Sequence, residues 1–494
     1  MKMSDLGLKT VEGGVPIGYC GICSSYKNQI RRPPQVKFSK AKTFSRVFKI
    51  PEIKFEDQRL TSFAGLVLYQ PLFEQLKIKE RFKRCFAHLK VSEIFAHHII
   101  MLLLVVHLIM GFRKLRDLDY YRDDPLVKRL LGLQRLPDVS TVSRALRSVD
   151  NRAIDKVRAM CRDLVIGRVQ ELALARITLD FDGSVIWTTQ RRAEGTAVGY
   201  NKRKKGSRSY YPLFCTIAQT GQVFDVLFRP GNVHDSNGAR EFIAQCVRVL
   251  KEAMPGVIIE ARMDSAFFSD EIVTYLKEHE VEFSLSVPFE RFAELKQMIQ
   301  ERKRWKRMDE RWSWFETLWK PQKWDHRFRF LLIRQRVPLV FRGPIQLDLF
   351  IPHEEGYAFK AIVTNKRIKA KKVLMFHNGR ADQEGLFGEL KSQSQMDYIP
   401  VRRLGGNQFY TMASILAHNL TREIQMVACL KMRGTTEKRS PLWIFEELKT
   451  LRSLLIQRAG RLTTPKGKLT LTLNGNEAVK RDFFMFLDAF KEAA

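Results

Sequence analysis

From about residue 60 to residue 165 the apolar positions recur at helical spacing. Near residue 175 the pattern becomes an alternation: Ile177, Leu179 and Phe181 face one way and Thr178, Asp180 and Asp182 the other, which predicts a strand with one apolar and one polar face. Strand-like runs at 211–218 and 222–228 follow, joined at Thr220-Gly221 in hairpin style. Then come a helix over 237–253, a strand over 257–263, a helix over 271–279 and a strand over 283–287. This mixed order predicts the α/β class, and carboxylates at the ends of the first and fourth strands put candidate chemistry at one sheet edge.

Residues 291–355 break the pattern. Trp305, Trp312, Trp314, Trp319 and Trp324 lie within twenty positions, and Phe328, Phe330, Leu332 and Val340 alternate like antiparallel strands, so a β-rich insertion is expected. Flat rings among Arg and Lys suit base stacking, worth ~1–3 kcal/mol per base, with Trp312 and Trp314 as candidates; the same two residues, on one strand face, equally suit the core of a small sheet. From Gly356 a strand over 357–364 returns to the sheet, a helix begins near Gly379, and the chain ends in a mainly helical region with a short strand at 469–473. No internal repeat is present. The expected organisation is a basic arm (1–55), a helical DNA-binding domain (56–170), a catalytic core in two parts (171–290 and 356–400) around the insertion (291–355), and a C-terminal region (401–494).

Charge narrows the partner. The 85 Lys plus Arg exceed the 53 Asp plus Glu, and a formal +32 points to a polyanion, nucleic-acid phosphate before anionic lipid. The loop residues Lys202, Arg203, Lys204, Lys205 and Arg208 are candidate backbone contacts. The run from Leu136 to Arg144 reads as a turn feeding a capped helix with Ser140, Thr141 and Arg144 near its start, a candidate DNA-recognition helix. Cys85, Cys161, Cys215, Cys246 and Cys429 sit in apolar stretches, the pattern of reduced core thiols in a cytoplasmic protein. Cys20 and Cys23 form a CxxC with no second pair at zinc-site spacing. The opening, with Asp5 and Glu12, predicts no signal peptide. Residues 94–112 are long and apolar enough to span a bilayer, but His97, His98 and His107 favour a buried helix and no membrane partner.

Three carboxylates on separate elements are what a two-metal phosphodiester site requires, because hard divalent cations take oxygen ligands. Asp182, Asp264 and Glu384 are the candidates for both catalysis and metal binding, with Asp180, on the same strand face, the rival of Asp182. At 3.6 residues per turn His377, Arg380, Glu384 and Lys391 fall within roughly 60° of one another on one helix face, one acid among cations that can hold phosphates. Its plainer reading is a solvated stripe of weak ion pairs. His234-Asp235-Ser236 suggests a hydrolase triad less well than a helix cap, since adjacent residues do not readily converge.

These residues carry a resemblance to the DDE transposases of bacterial insertion sequences with a Tyr-x2-Arg-x3-Glu-x6-Lys signature. Here it stands as His377-x2-Arg380-x3-Glu384-x6-Lys391, with an imidazole, also able to donate to a phosphate, in place of the tyrosine. The run Leu179 to Ser184, Gly199-Tyr200-Asn201, Tyr211-Pro212-Leu213, Arg262 to Phe268, Leu136 to Arg144 and Ala417-His418-Asn419-Leu420 look most like insertion-sequence family 1380. The resemblance, from about residue 60 onward, implies an RNase H-like core interrupted by a β-rich insertion and flanked by helical regions. It also implies two Mg²⁺ ions, with Mn²⁺ as substitute, and a homodimer on transposon-end and target DNA. The expected function is cut-and-paste transposition at terminal inverted repeats. The alternatives are a non-catalytic transposase-derived DNA-binding protein and a metal-dependent nuclease without strand transfer.

Overall fold

The computed structural model describes residues 50–89, 95–199, 201, 204–233, 237–337, 356–428 and 432–492. The basic arm before residue 50, Cys20, Cys23, Lys202, Arg203, the 234–236 triplet and Cys429 lie outside them. Two compact units divide the chain, residues 1–56 and 57–494; of the first, only 50–56 are described, without helix or strand.

The second unit is built on a nine-stranded mixed sheet. Its strands are β1 (Arg176–Gly183), β2 (Leu213–Ile217), β3 (Gln222–Leu227), β4 (Ile258–Met263), β5 (Glu282–Val287), β6 (Lys306–Arg307), β7 (Trp312–Trp319), β8 (Phe328–Arg336) and β9 (Tyr357–Thr364), in spatial order β6-β7-β8-β9-β5-β4-β1-β2-β3. Among the described residues only β1–β4 and β4–β5 pair in parallel. The expected insertion strands do not fold apart: β7 and β8 continue the central sheet through β9. A small sheet of Ile186–Thr188, Ala197–Val198 and Arg208–Tyr210, not anticipated, follows β1.

Among the helices packed on the sheet's apolar face are the two that follow β3 and β4. In α4 (Ala239–Ala253) Phe242, Ile243, Cys246, Val247 and Leu250 recur every three or four residues and are buried. In α5 (Asp270–Glu278) Ser269 caps the start, its hydroxyl accepting from Ile272 N at 3.4 Å, with Asp270 and Glu271 favourable in the first turn. They pack with Ile177, Leu179, Phe181, Ala261, Met263, Phe283 and Leu285 in one core. Each large apolar side chain buried there contributes about 1.5–3 kcal/mol.

A second core joins the two ends of this unit. The buried helix α1 (His97–Met110) and the helices α2 (Val139–Ser148) and α3 (Asn151–Glu171) pack around a long C-terminal helix, α8 (Leu404–Val427), nearly all of which is buried. The N-terminal helices and the C-terminal region thus share one hydrophobic cluster. Among the described residues no helix is long and apolar enough to cross a membrane, and Cys85, Cys161, Cys215 and Cys246 are free and buried.

Candidate active site

The polar face of the sheet is a ladder of rows set by strand register. Thr178, Glu260 and Glu282 form one row; Thr216, Asp180, Arg262, Ser284 and Thr364 form the next. Both rows are closed by ion pairs. Arg262, wholly buried, meets Asp180 with Nε–Oδ1 2.5 Å and Nη2–Oδ2 2.6 Å, and donates from Nη1 to Phe376 O and Lys438 O. Glu260, also wholly buried, accepts from Thr178 Oγ1, Lys366 Nζ (2.7 Å) and Arg439 Nε (3.0 Å); with these partners holding the charged form against its burial, its carboxyl is pulled down to about 2.

The third row is where the ladder opens. Asp182 lies two residues beyond Asp180 on β1, and Asp264 two beyond Arg262, just past the end of β4; Asp180 and Arg262 are the last residues paired between the two strands. Both carboxylates thus stand at the C-terminal ends of adjacent parallel strands, where such sheets bind their ligands. Both are half-buried. Asp182 Oδ1 accepts from Gly183 N at 2.8 Å and its Oδ2 from Arg380 Nη1 at 2.9 Å, while Asp264 Oδ1 caps a short turn at Ala266 N, 3.0 Å away.

The expected helix begins earlier than Gly379 and is broken there. Helix α6 (Ala370–Asn378) passes through a 3₁₀ turn, Gly379–Ala381, into α7 (Asp382–Ser392). Gly379 is required at the break: a Cβ would lie 1.9 Å from Lys438 O and 2.2 Å from Arg262 Nη1. Gln383, buried, ties α7 to the strands by donating to Asp180 O (2.9 Å) and Thr216 Oγ1 (3.1 Å). Glu384 is exposed beside it, and Lys391 is half-buried near the end of α7.

His377 does not share that outward face, which corrects its expected phosphate contact. It is 2% exposed, with Nδ1 3.1 Å from Ser284 Oγ and Nε2 2.9 Å from Ser286 Oγ, so both ring nitrogens are engaged within the sheet. Burial, reinforced by Lys360, Arg380 and Arg262, holds its pKa well below the ordinary value and keeps the ring neutral. The unbroken-helix geometry behind that expectation fails because the 3₁₀ turn changes the angle between His377 and Arg380.

Lys360 was not singled out from the sequence. It shares the strand face of Ile362 and Thr364, one row beyond Ser286 on the side of the carboxylates, and donates to Asn378 Oδ1 at 3.1 Å. Burial, with Arg380 nearby, pushes its ammonium down to about 8. Its alternation with Ile362 and Thr364 was the available signal. The same row continues through Ile333 to Trp314 and Lys306. Trp314 is therefore on the carboxylate face, four strand spacings from Asp264, roughly 20 Å along the sheet.

The other expected contacts divide. In α2, Ser140 and Arg144 are exposed and Thr141 half-exposed, with Arg144 Nη2 donating to Thr141 Oγ1 at 3.1 Å. Lys204 and Lys205 are exposed, and Lys204 Nζ stands 3.0 Å over the Trp187 ring. Arg208 differs: half-buried, it spends Nε on Thr196 Oγ1 (2.9 Å) and Nη2 on Thr196 O, and so clips the small sheet together. Trp312 and Trp314 are half-buried, whereas Trp319 and Trp324 belong to the core.

The donor set at the strand ends is all carboxylate oxygen, which fits a hard divalent cation, and the Arg380 guanidinium supplies positive charge to Asp182. Among the described residues no three His, Cys, Asp or Glu side chains converge closely enough to hold an ion. Glu384 lies on the exposed side of α7.

Among solved structures the chain is similar to the piggyBac transposase synaptic complex with hairpin DNA, determined by cryo-EM, at 14% identity over 79% of this chain and 78% of that one, TM-score 0.40. It is also similar to the Mos1 mariner paired-end complex with Mn, at 13% identity over 34% and 56%, TM-score 0.16. No curated protein matches it. The family profile described as transposase DDE domain group 1 matches residues 48–493. A match over that share of its length shows that the chain belongs to the transposase DDE domain family, group 1.

Proposed function

We propose that this chain is the transposase of an insertion sequence of family 1380, which binds the element's terminal inverted repeats, cleaves there and joins the freed 3′ ends to target DNA. The observation that carries the reading is the placement of Asp182 and Asp264 at the C-terminal ends of adjacent parallel strands, with the helix bearing Glu384 anchored to β1 through Gln383. Asp182, Asp264 and Glu384 are the metal-holding carboxylates. Two Mg²⁺ ions, or Mn²⁺, supply when bound the Lewis acidity that activates a water or a 3′-hydroxyl and stabilises the leaving oxygen.

The chain's own groups do the rest. Arg380 and Lys391 hold phosphates beside the scissile bond, as charge-assisted donors stronger than neutral ones. Asp180 and Arg262 act beneath them, holding β1 against β4 and the end of α6. Ser140, Thr141 and Arg144 of α2, with Lys204 and Lys205, contact more distant DNA. Two ends must be joined, so the working assembly is a homodimer on DNA in the bacterial cytoplasm.

A strand-transfer assay with a labelled transposon end and Mg²⁺ tests this. Cleaved and joined products are expected from the wild type and neither from Asp182→Asn. Cleavage without joining identifies a nuclease, and binding without cleavage a non-catalytic DNA-binding protein; either overturns the reading.

A further inference from the structure

A cavity of about 910 Å³ opens between the end of α2, the loop before the small sheet's second strand and the segment entering α8. Its rim carries Arg147, Arg191, Arg192, Arg402 and Arg403, all exposed, along with Gln190. Among the described residues the only acid paired with any of them is Glu194, 3.9 Å from Arg403 and itself exposed. Guanidiniums stay protonated at any physiological pH, so this convergence is repulsive in the free protein.

The backbone beneath is stitched against that repulsion. Gln190 Nε2 donates to Ile399 O at 2.8 Å, Glu194 N to Arg402 O at 2.8 Å, and Leu404 N to Glu194 Oε2 at 3.0 Å. Tyr210 OH donates to Glu194 O and accepts from Asn407 Nδ2. At the start of α8, Gly405 and Gly406 lie so close to α2 that a Cβ would stand 2.9 Å from Val149 O and 2.5 Å from Leu146 O, which seats the end of α2 directly on α8. A rigid frame thus holds five cations around an open space.

Its position supplies the ligand. Ser140, Arg144 and Arg147 follow one another at helical spacing on the exposed side of α2, so the outward face of that helix runs into the cavity rim. We propose that this cavity is a backbone-phosphate site for duplex DNA, gripping the strand that leaves α2, with Arg191, Arg192, Arg402 and Arg403 spanning successive phosphates. The inference rests on the reading of α2 as a DNA-contacting helix. It adds a second anchor, distinct from the carboxylate edge.

The test is salt-dependent binding of the full chain to a fluorescent random-sequence duplex, which requires no cleavage. Arg191→Gln/Arg402→Gln removes two contacts: the slope of log affinity against log salt becomes shallower by ~1.8, and affinity at about 0.15 M salt falls roughly thirty-fold. Arg191→Lys/Arg402→Lys keeps most of the slope. Arg248→Gln/Lys277→Gln, on α4 and α5, subtracts the same charge elsewhere and leaves the slope nearly unchanged. An unaltered slope in the first variant, or an equal change in the last, overturns the site. Wild-type chain that binds in this Arg-dependent way but never cleaves leaves the site standing and refutes only the catalytic reading.

Discussion

Arg380 Nη1 donates to Oδ2 of Asp182 across 2.9 Å, joining the turn between α6 and α7 to the end of β1. Two residues back on the same strand face, Asp180 is bound instead by the buried Arg262. The two acids therefore differ in what their loss does. Asp180→Asn leaves Arg262 buried without its counter-charge and costs about 3–5 kcal/mol, seen as a large drop in melting temperature. Asp182→Asn melts near the wild type and abolishes cleavage while retaining DNA binding. Asp180→Asn protein that folds normally and loses only cleavage would reverse the assignment.

Lys360 makes stability depend on alkaline pH. Its ammonium titrates near 8 in the fold against 10.5 in the unfolded chain, so between these values the unfolded state binds more protons and stability rises with pH. Below pH 8 the full penalty of burying the charge is present. Lys360→Met, which keeps the length and drops the charge, is expected to melt higher than wild type at pH 7 and to lose this rise; chemical denaturation at pH 7, 8 and 9 reads both.

Acid acts through other buried groups. His107, whose Nδ1 lies 2.7 Å from Tyr121 OH, and His418, which donates from Nε2 to Gly221 O at 3.0 Å, are pushed by burial down to about 3 and about 4. The unfolded chain, titrating near 6.5, binds more protons below that pH, so stability is full above 6.5 and is lost as pH falls toward 4 and 3. Near pH 5 each such histidine contributes a slope of about 1.4 kcal/mol per pH unit. Glu260, held near 2 by Arg439 and Lys366, adds a loss in the same direction between 4.5 and 2. A denaturation midpoint that stays flat between pH 6.5 and 4.5 would contradict this.

The tryptophans are expected to separate by burial. Trp319, whose Nε1 donates to Glu294 Oε2 at 2.6 Å, and Trp324, stacked on Phe268 with centroids 4.8 Å apart, are core residues, and alanine there costs about 3–5 kcal/mol. Trp312→Ala and Trp314→Ala fold and bind DNA. Trp314, on the carboxylate face with Lys306 Nζ 5.2 Å from its ring, is expected to stall release of the transposon end through a lost base stack. Excision at the wild-type rate in both variants would leave β7 a scaffold only.

Local periodicity was legible in the chain: the alternation of Ile177, Leu179 and Phe181, the helical spacing in 237–253, and the shared parity of Glu260, Arg262 and Asp264 each follow from the geometry of one segment. Those repeats predicted the main strands and helices of the sheet and which faces are apolar, but not the small sheet after β1. Register between distant strands is not a property of any segment, so only the folded sheet sets Asp180 against Arg262 and brings Asp182 and Asp264 to the ends of adjacent strands. The burial of His377 against Ser284 and Ser286, and the close approach of Gly379 to Lys438, are contacts between segments distant in sequence that no local pattern contains. The joining of N-terminal helices to α8 and the gathering of five arginines around one cavity are likewise products of packing between segments far apart in the chain. Periodicity reports which way a residue faces; what it faces is decided by long-range contacts whose energies exist only once the chain has closed on itself.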